Sequence, residues 1–299
     1  MIFDVSHQTT YRYSQPVSIS HHMFHLSPRT TSRQICHRTA LTVSPAPSIN
    51  EASTDFFGNP ITFVALQTQH KELTIHSRSV VEVSPPTTPE PQTTLPWDQV
   101  YDAVERDRSP LGLQVLQFAY ESPFTNSDAD ILEYAQQSFP PGRPILEAAQ
   151  DLTSRIYNEF KYEGGATTVT TTVDEVLRLK RGVCQDFAHL EIACFRAMRL
   201  PARYVSGYLL TKAPEGREKL VGADASHAWL SVWCPGYGWV DLDPTNNLIP
   251  KDEHVLLAWG RDYSDVSPVN GVIFGGGEHV VDVSVDVRSL PDTGVATMR

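Results

Sequence analysis

A proline-rich segment, residues 84–97, separates two parts of the sequence that have different hydrophobic patterns. It begins Ser84-Pro85-Pro86-Thr87-Thr88-Pro89-Glu90-Pro91. Proline lacks a backbone N–H and fixes φ, so this stretch can form neither a helix interior nor an inner strand. Before it, residues 1–83 alternate apolar and polar side chains in short runs between turn signals. That pattern predicts an amino-terminal antiparallel β domain.

After the proline-rich segment the sequence predicts helices. One face of a helix is marked at spacings of three and four by Ile145, Ala149, Leu152, Ile156 and Phe160. A short helix follows near residues 174–180, with Asp174 as its expected N-cap and Gly182 as the break beyond its end. The next helix starts at Cys184 and is apolar over most of its circumference, which indicates that it is buried.

Strand-like segments follow the Cys184 helix at residues 202–210, 228–234 and 239–242, with a polar loop predicted at 211–219. The second part, residues 98–250, is therefore predicted to be an α+β core in which helices precede an antiparallel sheet. In the remainder, residues 251–299, the run 280–287 alternates as a half-buried strand does. We expect this carboxy-terminal β extension to pack on one of the two sheets.

Composition limits the class of protein. The net charge of −11 repels phosphate backbones and anionic lipids, so neither nucleic acid nor a membrane is an expected partner. No apolar run approaches the roughly 20 residues of a membrane span, and the first residues lack the pattern of a secretory signal. Four scattered cysteines predict free thiols rather than a disulfide scaffold. These features favour the cytoplasm.

Cys184 is the leading candidate for a catalytic residue, because it stands where a glycine-containing loop runs into the buried helix. The helix dipole and the free N–H groups of the first turn favour a thiolate, which is the nucleophilic form of cysteine. Downstream lie His227 and Asp243. Cysteine, histidine and aspartate in contact can form an acyl-transfer triad.

The hairpin that carries His227 and Asp243 sets a geometric condition for that triad. A loop formed by residues 235–237 would pair Cys234 with Gly238 and would place Asp243 opposite Trp229. His227, two residues before Trp229, would then lie on the same face as Asp243, diagonally about 7–8 Å away at Cα. A two-residue loop would send the two side chains to opposite faces. The triad therefore predicts an odd-length loop or a bulge.

Three motifs carry a family resemblance. They are Gly182-x-Cys184-x-Asp186-x-Ala188, His227-Ala228-Trp229 and Trp239-x-x-x-Asp243-Pro244-Thr245. In this order they resemble the core motifs of the transglutaminase-like superfamily, a papain-like α+β group, over residues 145–250. Residues 9–29 and 260–268 are similar to the flanking regions of a bacterial branch that is described as cysteine proteases.

The resemblance implies cysteine-dependent acyl transfer with Cys184, His227 and Asp243 as the triad. We expect hydrolysis of an amide or peptide substrate; transfer to an amine and a non-catalytic binding or assembly role are the alternatives. No cofactor is expected, and no acidic loop has the ligand spacing of a calcium site. The oligomeric state stays open.

Residues that contact the substrate are harder to predict. Trp229 shares a face with His227 and can contact either the substrate or the core. The backbone N–H of Cys184 is the first expected oxyanion donor, with Gln185 and Tyr162 as candidates for the second.

A zinc site of Cys184, His189 and His227 is disfavoured, because a five-residue offset on a helix turns the His189 side chain about 140° away from Cys184. His21 and His25 are expected to be exposed strand histidines.

Overall fold

The computed structural model of the protein describes residues 1–211 and 226–291, and it has the predicted α+β fold. Apart from Thr211, the predicted polar loop 211–219 lies outside the described residues. The strands are β1 (Ile2–Phe24), β2 (Gln34–Ser44), β3 (Ile49–Thr54), β4 (Pro60–Leu66), β5 (His70–Val83), β6 (Lys161–Tyr162), β7 (Arg181–Gly182), β8 (Ala202–Leu209), β9 (Ser226–Cys234), β10 (Gly238–Leu242), β11 (His254–Gly260), β12 (Val269–Gly275) and β13 (His279–Leu290). The helices are α1 (Trp97–Arg106), α2 (Pro110–Leu116), α3 (Ala129–Gln136), α4 (Ile145–Glu159), α5 (Val173–Leu179), α6 (Cys184–Ala197) and α7 (Tyr263–Val266).

The amino-terminal sheet is built around the long strand β1. The first half of β1 pairs with β5 and β13, and its second half pairs with β4 and β12. β2 and β3 extend the sheet outward, next to β5 and β4 respectively. The carboxy-terminal strands β12 and β13 thus belong to the same sheet as the first strand of the chain.

The second sheet has the strand order β10-β9-β8-β11, and all of its pairs are antiparallel. One face packs on the buried helix α6 through side chains such as Tyr204, Leu230 and Val232. The other face carries His227, Trp229 and Asp241. Of the segment 251–299, β11 therefore joins this sheet, whereas β12 and β13 join the amino-terminal one.

The two sheets are joined by direct hydrogen bonds. The side chain of Gln34 donates to the carbonyl of Leu256 at 2.7 Å and accepts from its N–H at 2.8 Å. Asn59 makes the same two-way contact with the backbone of Trp259, at 2.8 and 2.9 Å. These bonds hold the amino-terminal sheet against β11.

Among the described residues, no helix is long and apolar enough to cross a membrane.

Two helix predictions hold and one cap prediction is wrong. α4 buries the predicted apolar face, and α6 is buried along nearly its whole length. The N-cap of α5 is Thr172 rather than Asp174, because the Glu175 carboxylate accepts the Thr172 N–H at 3.3 Å. α5 ends at Leu179, and its C-cap Lys180 has a φ of 53° in the left-handed region, so Gly182 is not needed to end the helix.

The prediction that His21 and His25 are both exposed is wrong for His25. His21 is exposed, but His25 is buried, with Nε2 3.2 Å from Asp55 Oδ2 and Nδ1 3.1 Å from the carbonyl of Ser267. Asp55 is 30 residues away along the chain, so no local pattern could reveal this partner.

Candidate active site

Cys184 is the first residue of α6, and the start of that helix is fixed by Asp186. The Asp186 carboxylate accepts the Val183 N–H at 2.7 Å and the Thr167 hydroxyl at 2.6 Å. Gly182 is required here, because a Cβ at this position would lie 2.7 Å from Asp186 Oδ2. The three motif residues therefore depend on one another: Gly182 leaves room for the Asp186 carboxylate, which fixes the start of the helix at Cys184. This arrangement places the half-buried Cys184 thiol at the positive end of the helix dipole.

The hairpin between β9 and β10 has the predicted register. Cys234 pairs with Gly238 across the three-residue loop, and Leu230 pairs with Leu242. His227 and Asp243 therefore point to the same face, and the Nε2–H of His227 donates to Asp243 Oδ2 at 2.8 Å. The geometric condition set by the sequence is met.

His227 connects Asp243 to Cys184. Its Nε2 is engaged by Asp243, and its ring also interacts with the Cys184 side chain. Burial by itself would lower the pKa of His227, but the hydrogen bond to Asp243 and the interaction with Cys184 outweigh it and raise the pKa to about 10. The environment therefore favours an imidazolium next to the thiol. The catalytic role of the three residues remains a prediction at this point.

Asp243 is fully buried and is surrounded by hydrogen-bond donors. Oδ2 accepts from His227, from His254 Nε2 at 3.0 Å and from Asn246 Nδ2 at 2.7 Å. Oδ1 accepts the N–H groups of Thr245 at 2.9 Å and Asn246 at 3.2 Å. Burial would raise the pKa of Asp243, but the hydrogen bonds from His227 and His254 hold it well below its usual range. The carboxylate is therefore ionised at neutral pH.

His254 and Asn246 were missed at the level of sequence. Asn246 follows Asp243 in a turn, and an aspartate that accepts backbone N–H groups two and three residues later is a recognisable local signal. His254 has no such signal, because it reaches Asp243 only after β11 has paired with β8.

His227, Asp243 and His254 also have the spacing of a possible metal site, since one ligand atom from each lies within 4.8 Å of the others. All three atoms are already used, since both Nε2 atoms bond to the same Asp243 oxygen. The hydrogen-bond network accounts for the cluster. His189, proposed and rejected as a zinc ligand from the sequence, instead accepts the Tyr263 N–H at 3.1 Å and stacks on Phe124.

The three residues expected to contact the substrate differ in how far their side chains are exposed to solvent. Tyr162 is 57% exposed and is close enough to Cys184 to interact with it electrostatically. Gln185, next to the thiol, donates weakly to the Val169 carbonyl at 3.4 Å. Trp229 is only 1% exposed, and its ring stacks beside that of His227 at a centroid distance of 6.0 Å. Their contact with substrate remains a prediction.

Comparisons with known proteins show which families this chain resembles. Residues 3–82 match the family described as the bacterial transglutaminase-like N-terminal region, and residues 133–244 match the family described as the transglutaminase-like superfamily. An uncharacterized protein of Mycobacterium tuberculosis is 44% identical over 291 residues, which are 95% of this chain and 92% of that protein. A protein-glutamine gamma-glutamyltransferase of Pseudomonas aeruginosa is 32% identical over 110 residues, which are 34% of this chain and 16% of that enzyme.

One solved structure supports the fold along nearly the whole chain. It is that of a protein from Cytophaga hutchinsonii, named "a Putative Cysteine Protease", with a TM-score of 0.76 at 23% identity. The match covers 97% of this chain and 91% of that one. The similarity therefore extends over both sheets.

Proposed function

Because this chain belongs to the transglutaminase-like superfamily, as its three motifs predicted, we propose that it is a cysteine enzyme that hydrolyses an amide or peptide bond through a thioester on Cys184. The position of His227 carries this proposal, since its ring is hydrogen-bonded to Asp243 and interacts with the Cys184 side chain. A nucleophile, an acid-base group and an orienting carboxylate in contact are what acyl transfer requires.

The first half of the reaction forms the thioester. The Cys184 thiolate attacks the carbonyl carbon, and the charge that develops on the carbonyl oxygen is stabilised by the Cys184 N–H in the first turn of α6. The His227 imidazolium gives its proton to the leaving amine as the carbon–nitrogen bond breaks. Asp243 keeps the imidazole oriented and stabilises its positive charge.

The second half releases the acyl group. Neutral His227 takes a proton from water, the resulting hydroxide attacks the thioester carbon, and the carbon–sulfur bond breaks to return the thiolate and imidazolium. A primary amine in place of water would give a new amide. The 32% identity over 110 residues to the Pseudomonas gamma-glutamyltransferase favours amine transfer as the second candidate.

A direct experiment separates these two reactions. The protein is incubated with a glutamine-containing peptide and a labelled primary amine, and the products are measured by mass spectrometry, with Cys184→Ala as the control. Hydrolysis converts glutamine to glutamate and releases ammonia. Amine incorporation in excess of glutamate formation would overturn our preference for hydrolysis.

A second experiment tests whether Cys184 is a nucleophile at all. Iodoacetamide labelling near neutral pH is followed peptide by peptide, and Cys36, which is also half-buried, serves as an internal control cysteine. Burial raises the pKa of Cys36, so we expect faster labelling at Cys184. Equal rates would instead favour a non-catalytic binding or assembly module.

We further propose that the reaction takes place in the cytoplasm and that the substrate is a peptide or another amide. The location is supported by the four cysteines, all of which are free thiols. A cell fractionation experiment with an antibody against the chain would test it.

A further inference from the structure

A cavity of about 930 Å³ lies between the amino-terminal sheet and the second sheet, on the face that carries His227. Arg29, Arg33 and Gln34 line it on one side, and Arg203, Trp239 and Trp259 line it on the other. Trp229 and His254 also belong to its wall. Since these two residues contact the His227 and Asp243 cluster, the cavity adjoins the candidate active site from behind.

The walls of the cavity concentrate positive charge in a chain whose net charge is −11. The guanidinium of Arg29 lies 3.6 Å from the centroid of one Trp259 ring, and that of Arg203 lies 3.9 Å from a Trp259 ring and 4.5 Å from a Trp239 ring. Stacking on tryptophan holds the two guanidinium groups in place without neutralising them.

Two aspartates, Asp55 and Asp241, line the cavity against three arginines, so the wall keeps an excess of positive charge. Asp55 is used by its own turn, where it accepts the Phe57 and Asn59 N–H groups at 2.8 Å each. Asp241 accepts the Ser231 hydroxyl at 2.6 Å and lies 3.9 Å from Arg33. Within residues 1–211 and 226–291, the Arg203 side chain has one hydrogen bond, a long one of 3.3 Å to Ser231.

Two obligate donors in the wall lack an acceptor in the described part of the chain. They are Nε of Arg29 and the indole Nε1 of Trp229, both buried. An N–H that is buried without an acceptor destabilises the fold, so a ligand that supplies an acceptor to these two groups would be favoured in the cavity. Burial lowers the pKa of Arg203 to about 9 and that of Arg29 to about 10, and the nearby Asp241 and Asp55 carboxylates oppose this lowering only in part.

We propose that this cavity binds a carboxylate at the end of a short apolar arm, such as an acidic side chain or the chain end of a peptide. That the carboxylate belongs to the substrate rests on the proposed function. Arginine pairs with carboxylate through two parallel N–H donors, and Phe57, Leu256 and the tryptophans supply apolar contact for the arm. The volume falls within the roughly 300–1,000 Å³ of small-molecule sites.

The first test measures binding without catalysis. Three of the five tryptophans line the cavity, so intrinsic fluorescence is titrated with glutarate and with its neutral analogue glutaramide at constant ionic strength. We expect saturable binding of glutarate, with glutaramide at least about tenfold weaker. The same result is expected in Cys184→Ala, because the cavity does not depend on the thiol. Equal binding of the two compounds would overturn the proposal.

The second test assigns the site. Arg203→Met keeps an unbranched apolar arm but removes the charge, and Arg33→Gln changes a partly exposed residue that folding tolerates more easily. Both should weaken glutarate binding about tenfold or more, whereas Arg106→Gln on the exposed surface of α1 should not. Unchanged binding in both cavity variants contradicts the assignment.

The third test asks whether the ligand is part of the substrate. Cleavage is compared for peptide pairs that differ only in a glutamate or glutamine side chain, or only in a free or amidated carboxy terminus. We expect one acidic member to have a higher kcat/KM and to lose that advantage in Arg203→Met. Turnover with no preference in either pair overturns the substrate role. Glutarate binding without turnover of any peptide would instead contradict the proposed function.

Discussion

His254 donates its Nε2–H to Asp243 at 3.0 Å, on the same carboxylate oxygen that accepts from His227. His254 comes from β11, a strand that the amino-terminal sheet holds in place through Gln34 and Asn59. The orientation of the carboxylate behind His227 thus depends on a strand outside the hairpin that carries both residues. His254 is a positioning residue in this arrangement.

Replacement of His254 by phenylalanine should destabilise the protein. Phenylalanine keeps a ring of similar size but leaves the buried Asp243 carboxylate without one of its donors, which should cost about 1.5–3 kcal/mol of unfolding free energy. Urea denaturation measures this loss. His254→Gln, which retains an amide donor, should recover part of it, and His21→Phe on the exposed face of β1 should have little effect. Equal stability of His254→Phe and wild type contradicts the role.

The pKa of His227 predicts how stability changes with pH. Its folded value of about 10 lies above the ordinary 6.5, so its contribution is fully present below about pH 6.5 and is lost as pH rises through about 10. The difference in unfolding free energy between wild type and His227→Gln should therefore narrow over that window. NMR titration of the histidine ring provides the direct measurement.

Asp243→Asn gives the matched variant for that titration. The hydrogen bond to the carboxylate and its charge both raise the His227 pKa, while burial lowers it. Without the Asp243 charge, less opposes the lowering of the His227 pKa by burial, so the midpoint of the His227 titration should move to lower pH. A midpoint that stays near 10 in Asp243→Asn would show that Asp243 does not control the protonation of His227.

The parts of the site that the sequence predicted are those set by local periodicity. The register of the hairpin follows from alternating side chains and the three residues between Cys234 and Gly238. The His254 contact and the arginine cavity depend instead on how β11 pairs with β8 and how the amino-terminal sheet docks. Such long-range packing leaves no pattern in a single stretch of sequence. The N-cap of α5 shows that local sequence can also be ambiguous. Threonine and aspartate are both good N-cap residues, and the contact between the Thr172 N–H and the Glu175 carboxylate identifies Thr172 as the cap.

Gly182→Ala should disturb the start of α6. The added Cβ would lie 2.7 Å from Asp186 Oδ2 and 2.9 Å from Asp186 Cβ, so the carboxylate would have to leave the Val183 N–H. Loss of such a cap typically costs about 0.5–2 kcal/mol, and labelling of Cys184 by iodoacetamide should slow. Gly164→Ala is the control, since its Cβ would meet nothing within 4 Å. Normal labelling in Gly182→Ala would show that Asp186 does not set the reactivity of the thiol.

Gly207→Ala should be more damaging, because two elements of the site meet at this glycine. Its Cβ would lie 2.1 Å from the Val255 carbonyl oxygen and 2.6 Å from the Trp229 ring. The carbonyl belongs to the backbone of β11 and cannot rotate away, so β11 and its His254 would have to move. Overpacking of this kind costs roughly 1–3 kcal/mol, which urea denaturation would measure. The NMR titration midpoint of the His227 ring should shift as well, because His254 moves with β11. An unchanged midpoint in a folded Gly207→Ala protein would show that the packing of Trp229 does not control the geometry of the Asp243 cluster.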